Sequence, residues 1–168
     1  MHSRQFTSLR RRTLVAALAI GSAYFWMPTA IQAGSTVRNG VLGSGTTWET
    51  PWQITESDKP GPTVVVIGGI HGNEPAGHRA AEQIRHWPIV RGKLVSLPRV
   101  NRVGLASNLR WFPDFRNDKR RRDINRNFPT KDRPNAMTPL CEAIWVFIEK
   151  QKPDWVFDLH EGFDFHRL

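Results

Sequence analysis

The chain has 168 residues, with 24 Lys+Arg against 15 Asp+Glu, 39% hydrophobic residues and one Cys. That length suits one domain rather than two, and the composition is that of a globular chain, not a disordered or collagen-like one. A single cysteine excludes an intrachain disulfide framework and a multi-cysteine zinc finger, and the lack of any repeat of roughly 20–50 residues excludes solenoids and propellers.

Residues 1–33 hold Arg4, Arg10, Arg11 and Arg12 and no acidic residue. An apolar stretch follows from Thr13 to Met27, then Pro28 and the small-residue end Ala30-Ile31-Gln32-Ala33. This is the order of a secretory signal peptide, cleaved after Ala33, and it implies a periplasmic or secreted product. Arg11-Arg12-Thr13-Leu14-Val15 also fits a twin-arginine signal loosely, which leaves the export route open. The apolar stretch is shorter than the roughly 20 residues a spanning helix needs, so no membrane association beyond the export signal is expected. Residues 34–168, the expected catalytic portion, carry 20 basic and 15 acidic residues. Most of that excess sits in one run, Arg116-Asn117-Asp118-Lys119-Arg120-Arg121-Arg122. A nucleic-acid binder spreads its basic residues over a face with aromatic residues among them, so no nucleic-acid partner is expected.

Residues 35–49 are rich in Gly, Ser and Thr and read as an irregular entry segment. Alternation of Trp52, Ile54 and Glu56 with Gln53 and Thr55 predicts a short edge strand, and Asp58-Lys59-Pro60-Gly61-Pro62 predicts a turn. Thr63-Val64-Val65-Val66-Ile67 is an uninterrupted β-branched run, the pattern of a strand buried on both faces. Pro75 suits a helix's first turn, with a helix-compatible stretch from Ala76 to Trp87. Leu94, Val95 and Leu97 predict a second strand, and residues 98–137 a long, loop-rich excursion of the kind that is usually functional or disordered. Thr138-Pro139 opens a helix with Leu140, Ile144, Phe147 and Ile148 on one face, and residues 154–159 form a third strand. The order indicates an α/β fold: a mixed, mostly parallel sheet flanked by helices.

Two of these strands run into histidines, Ile67 toward His71 and Leu159 into His160. Open α/β sheets place ligands at the carboxyl ends of their strands, which puts both histidines on one edge. Glu74 stands three residues past His71, where an imidazole and a carboxylate can converge on one cation. Two His and one Glu, with a fourth position open, suit a catalytic Zn²⁺. Between them in the chain lies Asp123-Ile124-Asn125-Arg126-Asn127-Phe128-Pro129, a loop whose Asp, Asn and Arg point to an anionic ligand.

His71-Gly72-Asn73-Glu74, the Asp123–Pro129 motif and Asp158-Leu159-His160-Glu161-Gly162 resemble, in that order, the zinc carboxypeptidase superfamily. That superfamily includes the succinylglutamate desuccinylase/aspartoacylase group and bacterial peptidases that trim cell-wall peptides. The resemblance implies a zinc enzyme with His71, Glu74 and His160 as metal ligands and Asp123 orienting His71. It implies that Asn125 and Arg126 grip the substrate's free carboxylate, and a guanidinium pairs well with that group. An arginine upstream of the motif polarises the scissile carbonyl in the family; Arg116 is the choice by spacing, with Arg120 or Arg110 as alternatives. The reaction implied is metal-assisted amide hydrolysis. The family's general-base glutamate lies well beyond the third ligand, whereas this sequence ends at Leu168, so residues 34–168 read as the N-terminal part of such a domain. Glu161 is expected to point away from the metal, and a chain lacking the base would bind zinc yet hydrolyse poorly. The Asn125–Pro129 segment and the export signal favour a metallocarboxypeptidase acting on peptides with a free carboxylate, such as cell-wall peptides. The alternatives are an N-acyl-amino-acid deacylase and a zinc-binding peptide-recognition relative without catalysis. Cys141 reads as a small core residue, and the tryptophans as core and cleft wall.

Overall fold

The structure is a computed structural model, described over residues 34–162. The signal-peptide expectation for residues 1–33 therefore lies outside the described residues. Five strands form one mixed sheet: β1 (Ser35–Leu42), β2 (Thr50–Ser57), β3 (Thr63–Gly68), β4 (Lys93–Leu97) and β5 (Trp155–Leu159). They lie in the order β1-β2-β4-β3-β5. The pairs β1–β2 and β2–β4 are antiparallel, and β4–β3 and β3–β5 are parallel. Three helices, α1 (Pro75–Ile84), α2 (Arg102–Ala106) and α3 (Pro139–Gln151), complete the described elements with two short 3-10 turns, Pro113–Phe115 and Ile124–Arg126.

The β-branched run makes β3 the strand on which both faces of the sheet are built. Val65 and Ile67 point into the larger core, with Val95, Leu97, Phe112, Leu140 and Ile144. Val66 points to the other side, with Ala81 of α1 and Leu94. Burying each such side chain contributes about 1.5–3 kcal/mol, which is why this strand can carry no polar alternation. Helix α3 begins as expected: the Thr138 side chain accepts the Cys141 N–H, Pro139 occupies the first turn, and Leu140 and Ile144 face the core.

Three expectations are corrected. Residues 35–42 form a full strand rather than an irregular entry, in register with β2 along its length. At Gly40, one of the glycines behind the irregular reading, the Trp52 ring of the paired strand fills the space; a Cβ would meet that ring at 2.3 Å. With β1 outside it, β2 is an interior strand and not an edge. The tryptophans are not all core and cleft wall: Trp48 and Trp52 pack on the core, while Trp87 and Trp155 are about three-fifths exposed. The long excursion of residues 98–137 remains mostly loop, interrupted by α2 and the two 3-10 turns. Among the described residues, no helix is long and apolar enough to cross a membrane.

Candidate metal centre

The three parallel strands β3, β4 and β5 end on the same edge of the sheet, and the candidate site grows from those ends. After β3 the chain turns through Gly68-Gly69, where Gly69 takes φ +74°, a left-handed conformation that a side chain would strain. The turn delivers His71, and Glu74 sits at the N-cap of α1 without capping it. Its carboxylate points into the site instead. The helix end is satisfied from elsewhere: the Ala76 N–H donates to the Glu161 carboxylate at 2.9 Å. The Glu161 carboxylate therefore faces the start of α1.

His71, Glu74 and His160 each present a ligand atom within 4.8 Å of the others. His71 Nδ1 lies 2.8 Å from Glu74 Oε1, and His160 Nδ1 lies 2.8 Å from Glu74 Oε2. The two rings are 4.9 Å apart. His71 and Glu74 are buried, and His160 sits at the open side. Asp123 Oδ1 is 3.0 Å from His71 Nε2 and also accepts the Asn125 N–H at 3.1 Å, which locks the start of the Asp123–Pro129 motif beneath the histidine. Asn125 reaches the same place, its Nδ2 lying 3.5 Å from His160 Nε2. Arg126, by contrast, is exposed, and its guanidinium donates to the Asn125 carbonyl at 3.2 Å.

The arginine that enters the cluster is Arg110, whose Nη1 donates to Glu74 Oε1 at 2.6 Å. Arg116, the choice by spacing, is exposed and caps the 3-10 turn Pro113–Phe115. Of the three candidates it is Arg110, one of the two alternatives, that the structure brings to Glu74, while Arg116 stays outside the cluster. The physical reason is the path of the loop between them. The Phe112 N–H donates to the Arg122 carbonyl at 3.0 Å, so the loop's two limbs meet at its base. Arg110 and Asp123 stand just outside that closure, while Arg116 and Arg120 ride on the loop itself.

Two buried asparagines hold these limbs: Asn101, which the sequence reading passed over, and Asn127, quoted there only as part of the Asp123–Pro129 motif. Asn101 caps α2 by accepting the Gly104 N–H at 2.9 Å, and its Nδ2 donates to the Trp111 carbonyl at 3.4 Å. Asn127 Nδ2 donates to the Arg121 carbonyl at 2.6 Å. Asn101 follows the end of β4 as His71 follows β3, so the sheet-edge rule would have drawn attention to it. Arg133 was also passed over. It donates to the Arg126 and Phe128 carbonyls, each at 2.7 Å, and props up the motif from outside.

The electrostatics follow from this packing. Burial raises the Glu74 pKa, but hydrogen bonds from His160 and the Glu161 N–H, the neighbouring His71 and the Arg110 guanidinium outweigh it and bring the carboxyl down to about 2. Burial lowers the His160 pKa, yet hydrogen bonds to Glu74 and Asp158 win and the net shift is upward. An anionic carboxylate between two imidazoles, each with a second carboxylate behind it, is a donor set suited to Zn²⁺.

The mixed α/β sheet and the His/Glu/His set on its edge define a fold of the zinc carboxypeptidase-like class. Residues 60–164 match the model of the succinylglutamate desuccinylase/aspartoacylase catalytic domain, more than half of the chain. The chain belongs to this family, a group of hydrolases. Among curated proteins, none matches it significantly. A solved succinylglutamate desuccinylase/aspartoacylase from Rhodobacter sphaeroides is 27% identical with a TM-score of 0.58, over 77% of this chain and 40% of that one. An aspartoacylase family protein from Mesorhizobium loti (24%, TM-score 0.59, 77% and 41%) shares the fold. So does the ectoine utilization protein from Ruegeria pomeroyi, solved with product bound (23%, TM-score 0.58, 79% and 41%). The chain thus spans about two-fifths of the length of these relatives. The family match lies with the deacylase group, which corrects the expectation of a carboxypeptidase acting on cell-wall peptides in favour of the first alternative.

Proposed function

We propose that the chain carries the metal-binding half of a zinc-dependent hydrolase that removes the acyl group from an N-acyl amino acid with a free carboxylate. The observation that supports it most is the convergence of His71, Glu74 and His160 within 4.8 Å, together with Arg110 and Asp123 from the two limbs of one pinned loop.

In this reading His71 and His160 ligate through Nδ1 and Glu74 through its carboxylate, with Asp123 holding the His71 ring. Bound zinc would polarise the scissile carbonyl and lower the pKa of a coordinated water. The chain's own residues orient the substrate. Arg126 and Asn125 bind its free carboxylate, Arg126 by turning from its present contact with the Asn125 carbonyl. Arg110, anchored on Glu74, offers its guanidinium to the acyl oxygen and stabilises charge that develops there. The Glu161 carboxylate is committed to the α1 N-terminus, so proton transfer is not assigned to it. Export across the inner membrane through residues 1–33 is part of the same proposal.

The test is zinc content of the purified chain, followed by calorimetric binding of N-acyl amino acids and of peptides with a free C-terminus. About one zinc per chain is expected, lost in His71→Ala and in His160→Ala, with N-acyl amino acids preferred. Stoichiometric zinc in both variants would refute the ligand set, and a preference for peptides would refute the substrate class.

A further inference from the structure

Each histidine of the cluster has two ring nitrogens, and a metal takes only one of them. The other has to be held, because a free imidazole turns about its bond to the chain and exchanges tautomers. For His71 the holding group is Asp123, from the loop after β4. His160 has a counterpart of its own. Asp158 Oδ2 lies 2.9 Å from His160 Nε2, at the end of β5. The two residues are two apart in an extended segment, so their side chains leave the backbone on the same face. The strand that delivers the ligand therefore also delivers its partner.

We infer that Asp158 is a positioning residue for His160, holding the imidazole by its Nε2–H so that Nδ1 is directed at the shared Glu74 carboxylate. A carboxylate oxygen only accepts, so without a metal both nitrogens donate, Nε2 to Asp158 and Nδ1 to Glu74; a metal that took Nδ1 would leave the Nε2 proton on Asp158. Asn125 approaches the same Nε2 at 3.5 Å, but through its own donor Nδ2, which cannot accept that proton. On the opposite side of the ring, Nδ1 stands 2.8 Å from Glu74 Oε2. Both nitrogens are thereby fixed, and the ring has one orientation. The cluster becomes a pair of matched arms, Asp123–His71 and Asp158–His160, meeting at Glu74. They differ in exposure: the side chains of His71 and Asp123 are 2% and 18% exposed, those of His160 and Asp158 29% and 32%. Water screens the outer arm more, so Asp158 has the smaller effect of the two.

This inference rests on the metal reading above, and the experiment separates the two. Zinc affinity of the full chain is measured against a competing chromophoric chelator for the unsubstituted protein, Asp158→Ala, Asp158→Asn and Asp123→Ala. The metal-free proteins are compared by ¹⁵N-resolved imidazole NMR. Loss of a partner behind a metal-binding histidine weakens affinity by roughly 10–100-fold. Asp158→Ala is expected near the lower figure and Asp123→Ala near the upper. Asp158→Asn, which keeps an acceptor oxygen and removes only the charge, recovers part of the loss. The slowly exchanging Nε2–H signal of His160 disappears in Asp158→Ala, while that of His71 stays. If Asp158→Ala binds zinc within about twofold of the unsubstituted chain, or keeps the His160 Nε2–H signal, the role of Asp158 is overturned. If the unsubstituted chain takes up no zinc at all, the metal reading falls and this inference with it.

Discussion

Gly77 is a point where helix α1 backs directly onto the end of strand β5, and replacing it with alanine tests how the site is assembled. A Cβ at this position would lie 2.2 Å from the Leu159 carbonyl oxygen and 2.9 Å from its carbon, both backbone atoms that no rotamer change can move. Two effects oppose each other. By helix propensity alone, alanine in place of glycine gains about 1 kcal/mol. Forcing a methyl group against packed backbone costs roughly 1–3 kcal/mol. With the overlap this deep the clash wins, and the net loss is about 1–2 kcal/mol, or a fall in Tm on the order of 3–8 °C for a domain this size. The displacement has a second consequence. Glu74 begins α1 and His160 follows β5, so pushing the two elements apart opens their 2.8 Å contact and weakens zinc binding as well. Thermal unfolding of the metal-free chain by circular dichroism, with a zinc titration alongside, reads both. Gly162→Ala serves as the control, since a Cβ there meets nothing within 4 Å. A Gly77→Ala chain as stable as the unsubstituted one would refute this account of how the helix and strand are joined.

Replacing Arg110 and Arg116 separately by alanine sets the spacing argument against the geometric one. Arg110→Ala should lower kcat/KM for an N-acyl amino acid by roughly 10²–10³-fold, the loss typical of one transition-state donor, whereas Arg116→Ala should change it less than twofold. Similar losses in both would return Arg116 to the site. Arg126→Ala should raise KM far more than it alters zinc content, and an unchanged KM would show that this arginine is structural. Burial pushes the Cys141 thiol up from 9.0 to about 11. A raised folded-state pKa gives a contribution that is complete below pH 9 and lost as pH rises through 11, about 2–3 kcal/mol in all. The unfolding free energy of the unsubstituted chain should therefore fall by that much relative to Cys141→Ala between pH 8 and pH 11.5; parallel curves would mean the thiol is not buried in solution. N-terminal sequencing of the exported protein should begin at Gly34, and a retained Met1 would argue against cleavage after Ala33.

The parts of this molecule that were legible in the sequence are those governed by a local rule. The Thr63–Ile67 run announces a doubly buried strand because apolar residues at consecutive positions have no solvent face to offer. Thr138-Pro139 announces α3 because a hydroxyl cap and an N1 proline meet the needs of a helix start. The sheet-edge rule joins His71 to His160 across 89 positions of chain because both follow parallel strands that pair with the same register. Strand β1 escaped notice because its stability comes from a neighbour: the ring over Gly40 belongs to Trp52, and no window on residues 35–42 contains it. Arg116 was chosen for the corresponding reason. Counting residues back from Asp123 treats the intervening loop as distance, yet the Phe112–Arg122 hydrogen bond closes it and removes residues 113–121 from the path between the two limbs. The arginine before the loop and the aspartate after it then become neighbours around Glu74 and His71. Their separation is set by two buried asparagine side chains, which bond to the Trp111 and Arg121 carbonyls that flank the closure. Chemistry-bearing residues on strand ends can thus be found by topology alone, whereas those on a long loop require knowing where the loop is pinned.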